Sequence, residues 1–318
     1  MTDANFLNPL LNPIFLPVLV RVFVFFVVGF IILFAIERFN ISRFKKGNLG
    51  QRFFGWAILV PIYLMGIFLG GIPSLIMLFV FMYLAIKELA RLAGLPKIYT
   101  YSLYILSIWS IVTASFYTQY FYSLPLLYFI AVTFCAIREN DAKKSLQNAA
   151  ITLFISIWVI FGLSHSILLG HLNNSIDSTK SLLLLIIFAT TFSDIGAYVF
   201  GKFFHKINFL DSYKVASNIS PNKTYIGLTG HILGAGLGIA GIYFVVGSYM
   251  SVYHWCVVAV LVGIFGLVGG LTNSLFKRCF DSKDSGELIP GHGGVMDRLD
   301  SILRVVVVLY YYFLLVLN

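Results

Sequence analysis

Charge is scarce in this chain: 22 Lys and Arg and 13 Asp and Glu make up only 11% of its 318 residues. Soluble globular domains carry about 25% charged residues. A chain that is 59% hydrophobic has more apolar surface than a soluble domain of this length can hide. A soluble domain is therefore excluded. Cysteine is almost missing as well. Cys135, Cys256 and Cys279 are scattered, with no Cys-x-x-Cys pair, which argues against both a disulfide framework and a cysteine-held zinc. The start, Met1 to Pro17, has no basic stretch ahead of Arg21, so no cleavable secretion signal is expected. The apolar segments lack the strict alternation of outer-membrane strands. Helices are then the way to satisfy the backbone in lipid.

What is present is a series of apolar runs. They predict an all-α, polytopic integral membrane protein of about ten transmembrane helices with two functional cytoplasmic loops. The expected spans are Phe15–Ile36, Phe54–Gly70, Ser74–Ile86, Tyr101–Tyr117, Ser123–Ile137, Ala149–Leu169, Leu182–Phe200, Gly227–Val246, Tyr253–Leu275 and Ile302–Leu317. The third is short, and the turn Gly70-Gly71-Ile72-Pro73 allows spans two and three to form a re-entrant pair. With ten crossings, 20 of the 22 Lys and Arg fall on one face, leaving only Arg21 and Lys180 on the other. Positive charge marks the cytoplasmic side, so both termini are expected to face away from the cytoplasm. The net charge of +9 lies between the apolar runs. The membrane accounts for most of it, and no nucleic-acid partner is expected. Gly230, Gly234, Gly236, Gly238 and Gly241 in span eight have small-residue spacings suited to close helix packing.

The segment from Asn273 to Ser301 is the densest in chemistry. It gathers Asp281, Asp284, Glu287, Asp297 and Asp300 with Lys277, Arg278, Lys283, His292 and Arg298, and adds the glycines Gly286, Gly291, Gly293 and Gly294. A plain connection needs none of this. Glycines let the backbone approach and cradle a phosphate, and Lys and Arg neutralise its oxygens. Asp297 and Asp300 lie one helical turn apart and can face one point. Paired carboxylates beside bases suit magnesium held against a nucleotide's phosphates. A solvated loop of positive-inside anchors would need no Asp-x-x-Asp or His-Gly-Gly. His292 alone would more often be structural, and its place before Gly293-Gly294 is what raises it. Asp194 lies inside span seven, roughly 12 Å below Lys202 at 1.5 Å per residue. A carboxylate there normally faces a cavity or a partner.

The same segment resembles the signature of the phosphatidate cytidylyltransferases. It reads Ser274-Leu275-Phe276-Lys277-Arg278, then Lys283-Asp284-Ser285-Gly286, then Ile289-Pro290-Gly291-His292-Gly293-Gly294, then Asp297-Arg298-Leu299-Asp300. Two earlier elements are similar to the same family: Asp194-Ile-Gly-Ala197-Tyr198-Val-Phe-Gly201, and Ser220-Pro221-Asn222-Lys223-Thr224-Tyr225-Ile226-Gly227. Asn222 stands where the family pattern has a lysine and Ile226 where it has a glutamate. The resemblance runs from about Phe188 to the C-terminus. It suggests an N-terminal transmembrane region, 1–180, and a C-terminal catalytic region, 181–318.

The resemblance implies cytidylyl transfer from CTP to phosphatidate, giving CDP-diacylglycerol and pyrophosphate. It implies Asp284, Asp297 and Asp300 as magnesium-positioning and catalytic residues, with Lys283 and His292 beside them. Ser220, Lys223, Thr224, Lys277, Arg278, Arg298, Gly293, Gly294 and Asp194 are the implied substrate-binding set. A monovalent cation such as K+, a homodimer, and a bacterial inner membrane with the site facing the cytoplasm are further expectations. The alternatives are a paralogue acting on another phosphorylated lipid or nucleotide, a transporter with Asp194 on its path, and a non-catalytic membrane scaffold.

Overall fold

The computed structural model describes residues 12–36, 39–41, 44, 48–172, 176–204, 214–286 and 293–317. Among these the regular structure is helical, apart from one isolated antiparallel bridge between Lys214 and Thr224. The helices are α1 (Phe15–Ile36), α2 (Asn48–Leu69), α3 (Gly71–Leu92), α4 (Lys97–Phe116), α5 (Leu124–Glu139), α6 (Ala142–His171), α7 (Ile176–Phe204), α8 (Tyr225–Gly241), α9 (Val252–Cys279) and α10 (Met296–Leu317). A π-turn, Ser156–Phe161, interrupts α6.

Among the described residues, seven helical segments are long and apolar enough to cross a bilayer, and three shorter apolar stretches lie in α1, α2 and α8. The outward faces are apolar: Phe23, Phe134 and Leu315 are each more than 60% exposed. Such a surface needs lipid around it. The protein is an integral membrane protein.

The third span is not short. Helix α3 runs 22 residues from Gly71, and its start is set by Gly70, whose φ of 63° only glycine adopts at low cost. The sequence reading ended this span at Ile86. The helix continues through Lys87, Glu88 and Arg91, so Glu88 belongs to the helix rather than to a loop.

Helices α7 to α10 pack as one group, and α7 against α8 is its tightest pair. The glycines explain the approach. A Cβ on Gly230 would lie 2.6 Å from the Gly196 carbonyl oxygen, and one on Gly238 would lie 2.6 Å from that of Phe188. A Cβ on Gly234 would run into the Phe192 carbonyl. These three positions are four residues apart and share one face of α8. Gly236 is different: it has open space around it and plays no part in the crossing. On α9, Gly269 lies directly against the backbone of Asp300 and Ser301 in α10. Close backbone contact of this kind substitutes for hydrophobic driving force inside lipid.

Candidate active site

The closeness of α7, α8, α9 and α10 leaves a cavity of about 300 Å³ at their shared end. Asp194, Ala197, Tyr198 and Gly201 of α7 line one wall, and Asp297, Asp300 and Ser301 of α10 another. The segment before α8 supplies Asn222, Lys223 and Thr224. Gly227, His231, Leu267 and Gly270 complete the lining. Two of the three sequence elements therefore meet the signature's Asp-x-x-Asp in one place, though they lie far apart in the chain.

Local structure fixes each of these side chains. Thr224 is the N-cap of α8, its Oγ1 accepting from Gly227 N–H at 3.1 Å. The first turn of α8 thus turns its positive end toward the cavity. Lys223 is held just before that cap: Val215 N–H donates to its carbonyl at 3.0 Å, and its own N–H donates to Ser220 O at 3.2 Å. Its ammonium donates to Leu267 O at 3.4 Å and occupies the space left by the missing side chain of Gly270, beside Asp300. Burial pushes the Lys223 ammonium below the usual lysine range. The carboxylates of Asp300 and Asp194 pull it back, and Lys277 pushes it further down.

The carboxylates divide into two kinds. Asp194 is 53% exposed, into the cavity, and its carboxylate accepts a 3.4 Å bond from Ser301 Oγ. Asp300 takes 2.7 Å from Ser301 N–H and 3.2 Å from Asn273 Nδ2. Ser301 Oγ also lies 3.3 Å from Asp300 Oδ1, so one hydroxyl stands between the two acids. His231 Nδ1 sits 2.9 Å from Ser193 Oγ and 3.8 Å from Asp194 Oδ1.

Asp297 is engaged far more fully. Its Oδ1 accepts from Lys277 Nζ at 2.6 Å and Asn273 Nδ2 at 2.8 Å. Its Oδ2 accepts from Ser285 Oγ at 2.9 Å, Gly294 N–H at 3.2 Å and Ser285 N–H at 3.3 Å. These bonds fasten the signature loop to the start of α10.

Gly293, at φ 74°, and Gly294 lie in the loop just ahead of α10. Arg298 is partly buried on the first turn of α10. Ser220 anchors the Lys223 turn. Arg278, Lys283 and Asp284 are exposed and lie outside the cavity lining, with Arg278 donating to Ser282 O at 3.2 Å. His292 falls outside the described residues. Ile226 is not part of the lining, whereas Asn222 is. Sequence reasoning missed Glu88, Asn273, His231, Ser285 and Ser301. An acid inside an apolar span was the available signal for Glu88, and the early end assigned to that span hid it.

Among the described residues, no group of three or more His, Cys, Asp or Glu side chains is arranged to hold a metal ion. Asp300 and Asp194, on facing walls of one cavity, still suit magnesium chemically. That ion usually takes one or two carboxylates together with substrate phosphates and water rather than an all-protein cage.

Fold and cavity together define a polytopic membrane protein with a polar cavity lined by carboxylates and a lysine. The sequence profile of the cytidylyltransferase family matches residues 50–316, and the chain belongs to that family. The match starts in α2, so it reaches well beyond the C-terminal half to which the motifs pointed. The chain is similar to the phosphatidate cytidylyltransferase of Staphylococcus epidermidis, 32% identical over 180 residues, which are 56% of this chain and 63% of the relative. The corresponding protein of Staphylococcus haemolyticus is 30% identical over 187 residues, 58% of this chain and 65% of the relative. That of Staphylococcus aureus is 31% identical over 183 residues, with the same coverage, 58% and 65%. The chain thus spans just under two thirds of the length of these curated relatives.

Proposed function

We propose that the protein transfers cytidylyl from CTP to phosphatidate, forming CDP-diacylglycerol and pyrophosphate. The observation that carries this reading is the joining of Asp194, Lys223, Thr224 and Asp300 around one cavity. A phosphate oxygen of the lipid attacks the α-phosphorus of CTP, and the bond from that phosphorus to the β-phosphate bridge breaks. Pyrophosphate leaves with the electron pair. Several negative charges converge in this step, so the protein's task is positioning and neutralisation. Lys223 neutralises phosphate oxygens in the cavity, and the first turn of α8 adds its positive end. Arg278 and Lys283, exposed outside the cavity lining, add positive charge that draws the nucleotide in from solution.

Magnesium held by Asp300 and Asp194 would supply charge neutralisation to the triphosphate. Asp297 is assigned to holding the signature loop, and Asp284 to the loop's exposed surface. A monovalent cation such as K+ belongs to the same proposal, as do a homodimer, ten membrane crossings and a bacterial inner membrane with the site on the cytoplasmic face. The catalytic side chains come from region 181–318, against which region 1–180 packs.

Purified protein incubated with labelled CTP, phosphatidate and magnesium should yield a labelled liponucleotide, lose that activity in excess chelator and regain it with magnesium. Full turnover in chelator would remove the metal role. Absence of product with any phosphatidate would remove the reaction. Asn222 favours a second reading, in which a different phosphorylated lipid is the acceptor: a neutral amide lines the cavity where a lysine is expected. A panel of phosphorylated lipids in the same assay separates the two.

A further inference from the structure

Glu88 lies on α3, nearly two hundred residues before the signature loop, yet its carboxylate is buried inside that loop. Val295 N–H donates to Oε1 at 2.8 Å and Met296 N–H to Oε2 at 3.0 Å. Ser285 Oγ lies 3.4 Å from Oε2. The residue is only 8% exposed and is not part of the cavity lining. Two signature glycines make room for it. A Cβ on Gly286 would lie 2.8 Å from Glu88 Oε1, and one on Gly294 would run into Oε2.

The first backbone N–H groups of a helix have no carbonyl partner within it, and at α10 these include Val295 and Met296. Glu88 supplies one from a separate helix, in the place where a local cap residue would ordinarily act. Its negative charge also sits at the positive end of α10. Ser285 Oγ links Glu88 to Asp297, which accepts from the same hydroxyl at 2.9 Å. Both acids therefore hold the loop, Asp297 at Ser285 and Gly294 and Glu88 at Val295 and Met296, and this hold sets where the first turn of α10 lies. Asp300 and Ser301 sit on the turn that follows, lining the cavity.

We propose that Glu88 is a positioning residue for the catalytic centre, an external cap by which the N-terminal half holds Asp300 and Ser301 in register with Asp194 and Lys223. The inference rests on the cytidylyl-transfer reading for its kinetic consequence but not for its structural one. It also gives a physical reason for the glycines at 286 and 294, since any side chain there would displace the carboxylate.

The test compares the full-length wild-type protein with Glu88→Gln and Glu88→Asp. Each is measured for steady-state transfer and for amide hydrogen exchange. Glutamine has nearly the same size, but its NH2 end would face a backbone donor that now meets an acceptor. Transfer by Glu88→Gln should fall about 100-fold in kcat, as a displacement near 1 Å costs. KM for CTP should change little, because Glu88 does not touch the cavity. Exchange should quicken in peptides covering 285–300 and remain slow in α5 and α8. Glu88→Asp keeps the charge and should recover part of both effects.

Unchanged exchange at 285–300 in Glu88→Gln overturns the proposal, whatever the activity. So does quickened exchange throughout the molecule, which would make Glu88 a general fold residue, and so does a rise in KM with kcat intact. If the wild type makes no liponucleotide, the reaction assigned above fails, and the exchange comparison still decides whether Glu88 holds the loop. If Glu88→Gln does not fold, Glu88→Asp carries the same comparison.

Discussion

Asp297 and Asp300 are one turn apart on α10, but their surroundings differ, and so do the expected effects of losing their charge. Asp297→Asn leaves Lys277 buried without its carboxylate: the two side chains are 11% and 14% exposed. Breaking such a pair costs about 3–5 kcal/mol. Thermal unfolding in detergent should show a clear loss of stability together with the loss of transfer. Asp300→Asn and Asp194→Asn should instead reduce transfer by about 100-fold, some 3 kcal/mol of transition-state stabilisation, while unfolding shifts far less than in Asp297→Asn. Asp281→Asn is the control. It sits at φ 50°, a conformation asparagine tolerates, and is exposed outside the cavity. It should be nearly silent in both assays. Equal damage from Asp281→Asn would mean that the loop acts through bulk charge, and the separate roles given to Asp297 and Asp300 would fall.

Lys223 gives a pH prediction at the same scale. Its ammonium is held below the ordinary lysine range by burial, so it loses its proton at a lower pH than an exposed lysine. Phosphate neutralisation is present below that point and fades as pH rises through it. Transfer should therefore decline on the alkaline side of a profile taken over about pH 7 to 9.5. Lys223→Arg keeps its charge throughout and should move that decline upward, at a lower maximal rate because the fork does not fit the space beside Gly270. An alkaline limb at the same pH in both proteins would assign it to another group.

Among the elements, the α7–α8 crossing is the most sensitive. Gly234 faces the Phe192 carbonyl with no room for a methyl group. Gly234→Ala must push the helices apart, at a cost of about 1–3 kcal/mol, and would lengthen the 2.9 Å contact between Ser193 and His231. Stability and transfer should fall together. Gly236→Ala, in open space on the same helix, should be tolerated. The spacing of glycines was visible in the sequence and predicted close packing. It did not separate Gly236 from its neighbours, because i, i+2 and i+4 small residues look alike until the partner helix selects a face. The end of α3 was misplaced for a related reason. Charged residues at Lys87, Glu88 and Arg91 read as a loop by hydropathy, yet the helix continues, with Glu88 satisfied by backbone donors from α10.

For the whole molecule, the proposed ten crossings would place Lys143, Lys214 and Asp281 on one face and Tyr117 on the other. Cysteine-labelling from each side of the membrane should report this division. Lys214 and Asp281 on opposite faces would sink the shared site. The sequence alone determined that the protein lives in lipid, that its backbone is helical and that its charges lie between apolar runs, because these follow from composition and from the bilayer's demand for satisfied backbone groups. It also singled out the Asp-x-x-Asp turn and Asp194, since acids and glycines at fixed spacings are local facts. Only the tertiary structure decided which of those residues meet. It brought Asp194 and Lys223 to Asp300, left Lys283 and Asp284 at the surface, and inserted Glu88 beneath the signature loop. Such contacts depend on how closely helices approach and which face each turns inward. No spacing within a single segment records that.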